Sequence, residues 1–463
     1  LDDVPDEELD QLAALGFDWV WLLGVWQTGE AGRLVSRANP GWQHEFRDTL
    51  PDLKEADICG SCFAISRYTV RADMGGNAAL KRLRSRLQQR GVRLMLDFVP
   101  NHMALDHPWV KENPEFFMRG TEEDFAREPH NYGRVQLADE PMVLAYGRDP
   151  YFAGWPDTLQ LNYANPDLQG AMLEQLLRVG DLCDGVRCDM AMLVEPDVFE
   201  RTWGTRPEPF WSRAIERVRQ RFPDFTFMAE VYWDMEWALQ QQGFDYAYDK
   251  RLYDRLCDQH ARPIREHLYA GLDFQDKLAR FAENHDEPRA AATFAPDVHQ
   301  AAAMVTFFTP GLRFFHQGQM EGRQKRITPH LCRGPAEPTD TSLQAFYTLL
   351  LDCLKSPAVR DGYWQMLDCA PAAAGNESWD GFIASAWQGQ DGERLVVVVN
   401  YASQQGQCYV RLSFDHLSRG QYRLNDLMSP VGYEYEGDKL LAPGLYVDLA
   451  PWGYHLFELM DLA

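Results

Sequence analysis

Three apolar runs in this chain each end in a carboxylate, and they recur between segments with helix spacing. Gly185-Val-Arg-Cys-Asp189 is the clearest. Phe225-Thr-Phe-Met-Ala-Glu230 is the second, and Phe281-Ala-Glu-Asn-His-Asp286 the third. A short apolar run flanked by helices reads as a parallel strand buried on both faces. In a closed α/β barrel the strand ends of one polarity meet at one rim, and that rim carries the chemistry. The pattern therefore places Asp189, Glu230 and Asp286 at strand ends that can converge, although they lie far apart in sequence.

The rest of the order fits such a scaffold. Helix spacing runs from Pro5 to Leu15, stops at Gly16, and is followed by the strand-like Phe17-Asp-Trp-Val-Trp-Leu-Leu. Residues 24–60 read as an irregular loop, and Phe63 to Val70 as a short extended piece. Asn77 to Arg90 is an amphipathic basic helix ended by Gly91. Arg93-Leu-Met-Leu-Asp-Phe-Val-Pro is a strand that delivers Asp97, Asn101 and His102. Residues 103–160 have little periodicity and many Pro, Gly, His and aromatic residues; so long an irregular stretch is usually a functional insertion. Asn165-Pro166 opens the next helix, and strands then alternate with helices to about Lys355. Beyond residue 360 the strands are separated by turns alone.

At 463 residues the chain exceeds one compact core. The expected fold class is α/β: a (β/α)₈ TIM barrel built from residues 1–102 and 161–358. Residues 103–160 form an inserted subdomain, and residues 359–463 a C-terminal all-β sandwich. Because the sequence opens on a helix, the first barrel strand is expected to be missing from the chain.

Composition narrows the partners. A net charge of −24 argues against nucleic acid and against an anionic membrane surface. No apolar run is long enough to span a bilayer. The nine cysteines are irregularly spaced, and several sit in apolar runs, which suits a reducing, cytoplasmic setting. The sequence begins at Leu1, so a signal peptide upstream stays open. Cys59-x-x-Cys62 has no second pair to complete a zinc site, and no metal is expected there. Aromatic residues make up 13% of the chain, which fits either a large core or rings that stack on sugars.

Acids at one rim suit cleavage of a glycosidic bond. One carboxylate attacks the anomeric carbon while a second, as an acid, protonates the leaving oxygen. Arg187 and Asp189 are two apart on a strand and so face the same way; the cation can keep Asp189 ionised and oriented. Glu230 ends a run of Phe225, Phe227, Met228 and Ala229. An apolar neighbourhood would favour its protonated form, as a general acid needs.

Four short motifs in order resemble those of the α-amylase family of retaining glycoside hydrolases and transglycosidases. They are Asp97-Phe-Val-Pro-Asn101-His102, Gly185-Val-Arg187-Cys-Asp189, Glu230-Val-Tyr-Trp233 and Asn284-His285-Asp286. Leu161-Asn162-Tyr163-Ala-Asn165-Pro166 resembles the accessory motif that closes that family's inserted domain. The resemblance implies Asp189 as nucleophile, Glu230 as general acid/base and Asp286 as transition-state stabiliser. It implies that Arg187, His102 and His285 bind the sugar, supported by Asp97, with Phe63 in the place of a stacking Tyr. Many relatives carry Lys-His soon after the nucleophile, where Met192-Leu193 stands here; the Lys helps hold the leaving sugar and the His carbonyl a calcium ion. A backbone carbonyl survives any substitution, so structural calcium stays possible, although no other cofactor is implied and no Asp-rich calcium loop is visible. The implied activity is hydrolysis of α-1,4-glucans or malto-oligosaccharides by double displacement. The alternative is transfer between sugars, or action on a small α-glucoside such as sucrose or trehalose. A non-catalytic binding protein of this family would be expected to lose one of the acids, and an unrelated metal-dependent barrel would need a His-rich cluster; neither matches.

Overall fold

Parallel strands need crossovers, and the first half of this chain supplies them. A computed structural model describes residues 1–136, 141–414, 417 and 420–462. The chain divides into two units, residues 1–248 with 327–336 and residues 249–326 with 337–463.

In the first unit, Trp19–Leu22 pairs in parallel with Arg93–Phe98, which pairs with Gly185–Cys188, then Thr226–Ala229, then Tyr246–Tyr248. The helices Gly76–Gln88, Pro166–Gly180, Trp211–Arg221 and Glu236–Gln241 connect them. Their local signals are legible. Asn165 accepts a hydrogen bond from the Asp167 N–H with Pro166 at the first helical position, and Leu168, Met172, Leu176 and Val179 bury one face. The strands Gly185–Cys188 and Thr226–Ala229 are buried throughout, as parallel strands covered on both faces should be.

Residues 24–60 are not an irregular loop. They hold the strand Trp26–Thr28 and the helices Glu30–Ala38 and Pro40–Thr49. The second helix starts with Asn39 accepting from the Gly41 and Trp42 N–H groups and Pro40 leading, the same signal as at Asn165. The insertion after His102 is also ordered. His102–Ala104 pairs antiparallel with Thr158–Gln160, and Tyr132–Gln136 with Pro141–Ala145.

In the second unit, Leu278–Arg280 pairs in parallel with Leu312–Arg313. The strand thus ends before the Phe281–Asp286 run expected to form it, and Asp286 stands on the segment beyond. Seven parallel strands of the barrel type are present among the described residues, five in the first unit and two in the second. The C-terminal part is all-β apart from short helical turns, with a six-stranded and a three-stranded sheet. Alternate residues Phe382, Ala384, Ala386, Val396 and Val398 pack with Cys408, Val410 and Val447 between the sheets. The other face of the larger sheet is covered too: Trp387 donates from Nε1 to the Phe308 carbonyl at 2.8 Å, and Tyr454 OH to Gln300 Oε1 at 2.7 Å. That is why Val396 to Val399 are all buried rather than alternating. No helix among the described residues is long and apolar enough to cross a membrane.

Candidate active site

Arg187 is the centre of the site in the first unit. It is fully buried, and so, nearly, are Asp97, Asp189 and Glu230. Its Nη1 donates to Asp189 Oδ1 at 2.6 Å and lies 3.6 Å from Asp97 Oδ1. Its Nη2 stands 2.7 Å from Glu230 Oε2, an ion pair without the alignment of a hydrogen bond. Its Nε donates to Tyr248 OH at 3.4 Å. The rings of Trp21, Phe63 and Tyr248 lie 5.3, 5.4 and 5.8 Å from its guanidinium carbon. Burial alone would weaken its hold on the proton; Glu230, Tyr248, Asp189 and Asp97 outweigh that and raise its pKa well above the ordinary value. One cation among three buried carboxylates leaves an excess of negative charge, which a positively charged transition state would relieve.

The strand ladder explains why these acids meet. Asp97 and Arg187 are register partners. Beyond the strands the ladder continues through Asp189 N–H to Phe98 O at 2.9 Å, Glu230 N–H to Cys188 O at 3.0 Å, and Ala191 N–H to Glu230 O at 2.9 Å. Met190 then turns into the left-handed region at φ 43°, and its N–H donates to Glu230 Oε2 at 2.7 Å. Asp97 Oδ2 accepts the Gly24 N–H at 3.1 Å. Gly24 has φ +74°, and a Cβ there would stand 2.5 Å from Cys62 Cβ, so the backbone can come this close only as glycine.

Glu230 departs from the apolar setting read in the sequence. Its sequence neighbours Phe227, Met228, Ala229 and Val231 are buried. Its oxygens instead meet Arg187, the Met190 N–H and Tyr232 OH, which donates to Oε1 at 2.8 Å. A cation and two donors stabilise negative charge on Glu230.

Asp97, Phe63, Arg187, Asp189 and Glu230 are thus brought together. His102 lies on the strand that opens the insertion, 5.1 Å from the Trp155 ring, and burial pushes its pKa down to about 3. It is neutral there, with one donor and one acceptor nitrogen. His285 and Asp286 belong to the second unit. His285 Nε2 lies 3.1 Å from Asp286 Oδ2. Asn284 Oδ1 accepts the N–H groups of Asp286 and Glu287, both at 2.9 Å, and so shapes the turn. Buried Glu283 anchors the segment, bonding the Ala290 N–H at 2.6 Å, with Arg289 and His316 each at 3.1 Å.

Sequence reasoning missed Tyr248, Tyr232 and the Met190 N–H. It also missed an exposed aromatic ledge, Tyr151 against Trp233 edge to face with centroids 5.0 Å apart. Trp233 and Asp234 are both left-handed, at φ 65° and 60°.

The family motifs raise a structural calcium ion. Among the described residues no group of three or more His, Cys, Asp or Glu is arranged to hold a metal. Asn101 Oδ1, Asn101 O and Leu161 O do converge on one point, but Gln160 Nε2 holds that point. An amide nitrogen and a cation exclude each other, so these residues do not fit a resident ion.

Comparison with known proteins agrees with the geometry. The chain is 24% identical over 332 residues to α-amylase MalA of Haloarcula japonica, a match covering 70% of this chain and 42% of that one. It is 23% identical over 254 residues to an intracellular maltogenic amylase of Bacillus subtilis, covering 52% and 39%. The chain thus spans less than half the length of these two curated relatives. Among solved structures, the noncanonic maltogenic α-amylase AmyB from Thermotoga neapolitana superposes with a TM-score of 0.69 at 18% identity, covering 99% of this chain and 94% of that one. The α-amylase from Geobacillus thermoleovorans complexed with acarbose gives 0.67 at 19%, covering 99% and 92%. At that identity the likeness shows the fold, a (β/α)₈ barrel with a C-terminal β domain. The α-amylase catalytic-domain family model matches residues 6–341, and the chain belongs to the α-amylase family.

Proposed function

We propose that this chain cleaves α-glucosidic bonds of α-1,4-glucans or malto-oligosaccharides with retention of configuration. The observation that carries the reading is the single buried guanidinium of Arg187 joining Asp189 to Glu230. It supports the short carboxyl separation, roughly 5–5.5 Å, that a double displacement uses.

Asp189 attacks the anomeric carbon, and the bond to the leaving oxygen breaks as Glu230 gives that oxygen a proton. Glu230, now a carboxylate, takes a proton from water, whose oxygen displaces Asp189 from the sugar. The site must load Glu230 with a proton against its contact with Arg187, so an entering sugar is expected to draw Arg187 toward Asp189. His102 and Asp97 bind hydroxyls, and Phe63 stacks on the ring. The roles of Asp286 as stabiliser and His285 as sugar ligand rest on their motif alone. The nine cysteines are free, which supports a reducing, cytoplasmic location.

Transfer to a second sugar is the other reading, and the Tyr151–Trp233 ledge favours it, since exposed rings beside the Glu230 segment can hold an acceptor. Maltoheptaose and sucrose turnover by the wild type and Asp189→Asn tests both. Short maltodextrins from the wild type alone support hydrolysis; longer oligomers support transfer. A folded wild type inert on every α-glucoside overturns the proposal.

A further inference from the structure

The inserted segment lies within the first unit, and the residues at its two ends, His102 and Gln160, are register partners across an antiparallel pair. Gln160 is fully buried, and its side chain does more than fill space. Its Nε2 lies 2.9 Å from Asn101 Oδ1, 3.0 Å from Asn101 O and 3.1 Å from Leu161 O. The Leu161 N–H also donates to Asn101 O at 3.0 Å. Both crossing points of the insertion are therefore tied to one nitrogen.

The orientation of that amide follows from chemistry. Turned the other way, its oxygen would face three other oxygens in a buried space, and Asn101 Oδ1 and Leu161 O would lose this donor. Turned as it is, Oε1 accepts the Arg148 N–H at 3.4 Å. Three oxygens converging on one buried point are what a hard cation selects. Here a neutral NH₂ group with two protons serves all three.

We propose that Gln160 is a positioning residue that takes the place of a structural cation. It fixes the strand end carrying Asn101 and, next to it, His102, so that the root of the insertion closes without metal. His102 is the group this closure serves: Asn101 Nδ2 lies 3.5 Å from His102 Nδ1, and the ring packs on Trp155. The catalytic consequence rests on the function proposed above; the stability consequence does not.

The test compares wild type, Gln160→Glu and Gln160→Met by thermal melting at neutral pH, in EDTA and then in millimolar calcium. The wild type is expected to melt at the same temperature in both. Gln160→Glu puts a carboxylate among three oxygens, so it should melt lower in EDTA and recover in calcium. Gln160→Met should melt lower and not respond to calcium. On malto-oligosaccharides, Gln160→Met should raise KM more than it lowers kcat, because a displaced His102 weakens sugar binding, and calcium should restore KM in the Glu variant alone. A wild type that loses stability in EDTA and regains it in calcium overturns the proposal, as does a Glu variant equal to wild type in EDTA. If the Glu variant folds in neither buffer, the other two proteins decide: a Met variant as stable as wild type also overturns it. Melting is read without substrate, so failure of the proposed activity does not alter the outcome of the melting comparison.

Discussion

Arg187 Nη2 stands 2.7 Å from Glu230 Oε2, so the residue proposed to carry the proton is ion-paired before any sugar arrives. The same guanidinium holds Asp189, and Asp97 lies beside it. Removing it strands three buried carboxylates. Arg187→Met is expected to cost about 3–5 kcal/mol of stability at neutral pH, the usual penalty for breaking a buried pair from one side. The deficit should have a direction in pH. Buried carboxyls that have lost their cation hold protons more tightly folded than unfolded, so the variant's stability should fall as pH rises from 5 to 8. Chemical denaturation of the two proteins across that range checks it; a pH-independent deficit would mean lost packing alone.

The two carboxylates proposed to carry the chemistry should separate by leaving group. Glu230→Gln removes proton donation, worth about 10²–10⁴ in rate on maltodextrins. α-Glucosyl fluoride leaves without a proton, so this variant should form the glycosyl-enzyme from it at close to the wild-type rate. Asp189→Asn should fail on both, because the proposed nucleophile is gone. Pre-steady-state fluoride release gives the comparison; equal loss in both variants on the fluoride would undo the assignment.

The site is legible in sequence where its signal is local. Arg187 and Asp189 share a face because a strand alternates, and both can be read at once. The position of Asp286 is less so. Its supporting strand is Leu278–Arg280, and Arg280 looks like a surface residue in sequence. It is fully buried and bonded to Asp249, Gln275 and the Pro310 carbonyl. A charged residue satisfied by distant partners hides a strand from any reading of apolar runs, so those runs place the strand three residues late. The donors around Glu230 are hidden for a similar reason. Met190 contributes a backbone N–H, which every residue but proline has, and the direction of Tyr232 follows from a turn that sequence does not mark. Gln160 is lost in a stretch without periodicity, because clasping a loop root needs no pattern.

Asp157 gives a pH signature of its own. It is buried with Oδ2 unbonded, and burial raises its carboxyl from 3.8 to about 6. The folded form binds the proton more tightly than the unfolded chain, so this group's contribution is present below pH 3.8 and lost as pH rises through about 6. At pH 8 the cost is about 3 kcal/mol. Asp157→Asn keeps the shape and drops the charge. It is expected to raise the melting temperature most at pH 8, by about half as much at pH 5, and to change little below pH 3.8. His299 acts in the opposite sense: burial lowers it to about 4, so its contribution is full above pH 6.5 and falls as acid is added. Double variants with His299→Gln should flatten the acid limb while the Asp157 effect at pH 8 persists.

Trp233 holds a left-handed backbone, φ 65°, that a bulky side chain adopts only at a cost of about 1 kcal/mol or more. The residue is 36% exposed, and its ring meets that of Tyr151, which is 58% exposed. A strained backbone beside two exposed rings makes this ledge a place to test for sugar binding. Trp233→Gly removes the ring and relieves the strain together. Stability should then stay level or rise by up to about 1 kcal/mol, while KM for maltoheptaose rises several-fold and KM for maltotriose moves less. If transfer is the main reaction, the same variant should shift products toward hydrolysis, since a sugar acceptor loses its stacking partner and water does not. Melting curves paired with product ratios on the two substrates separate these effects. A variant that loses stability and leaves both KM values unchanged would assign Trp233 to packing alone.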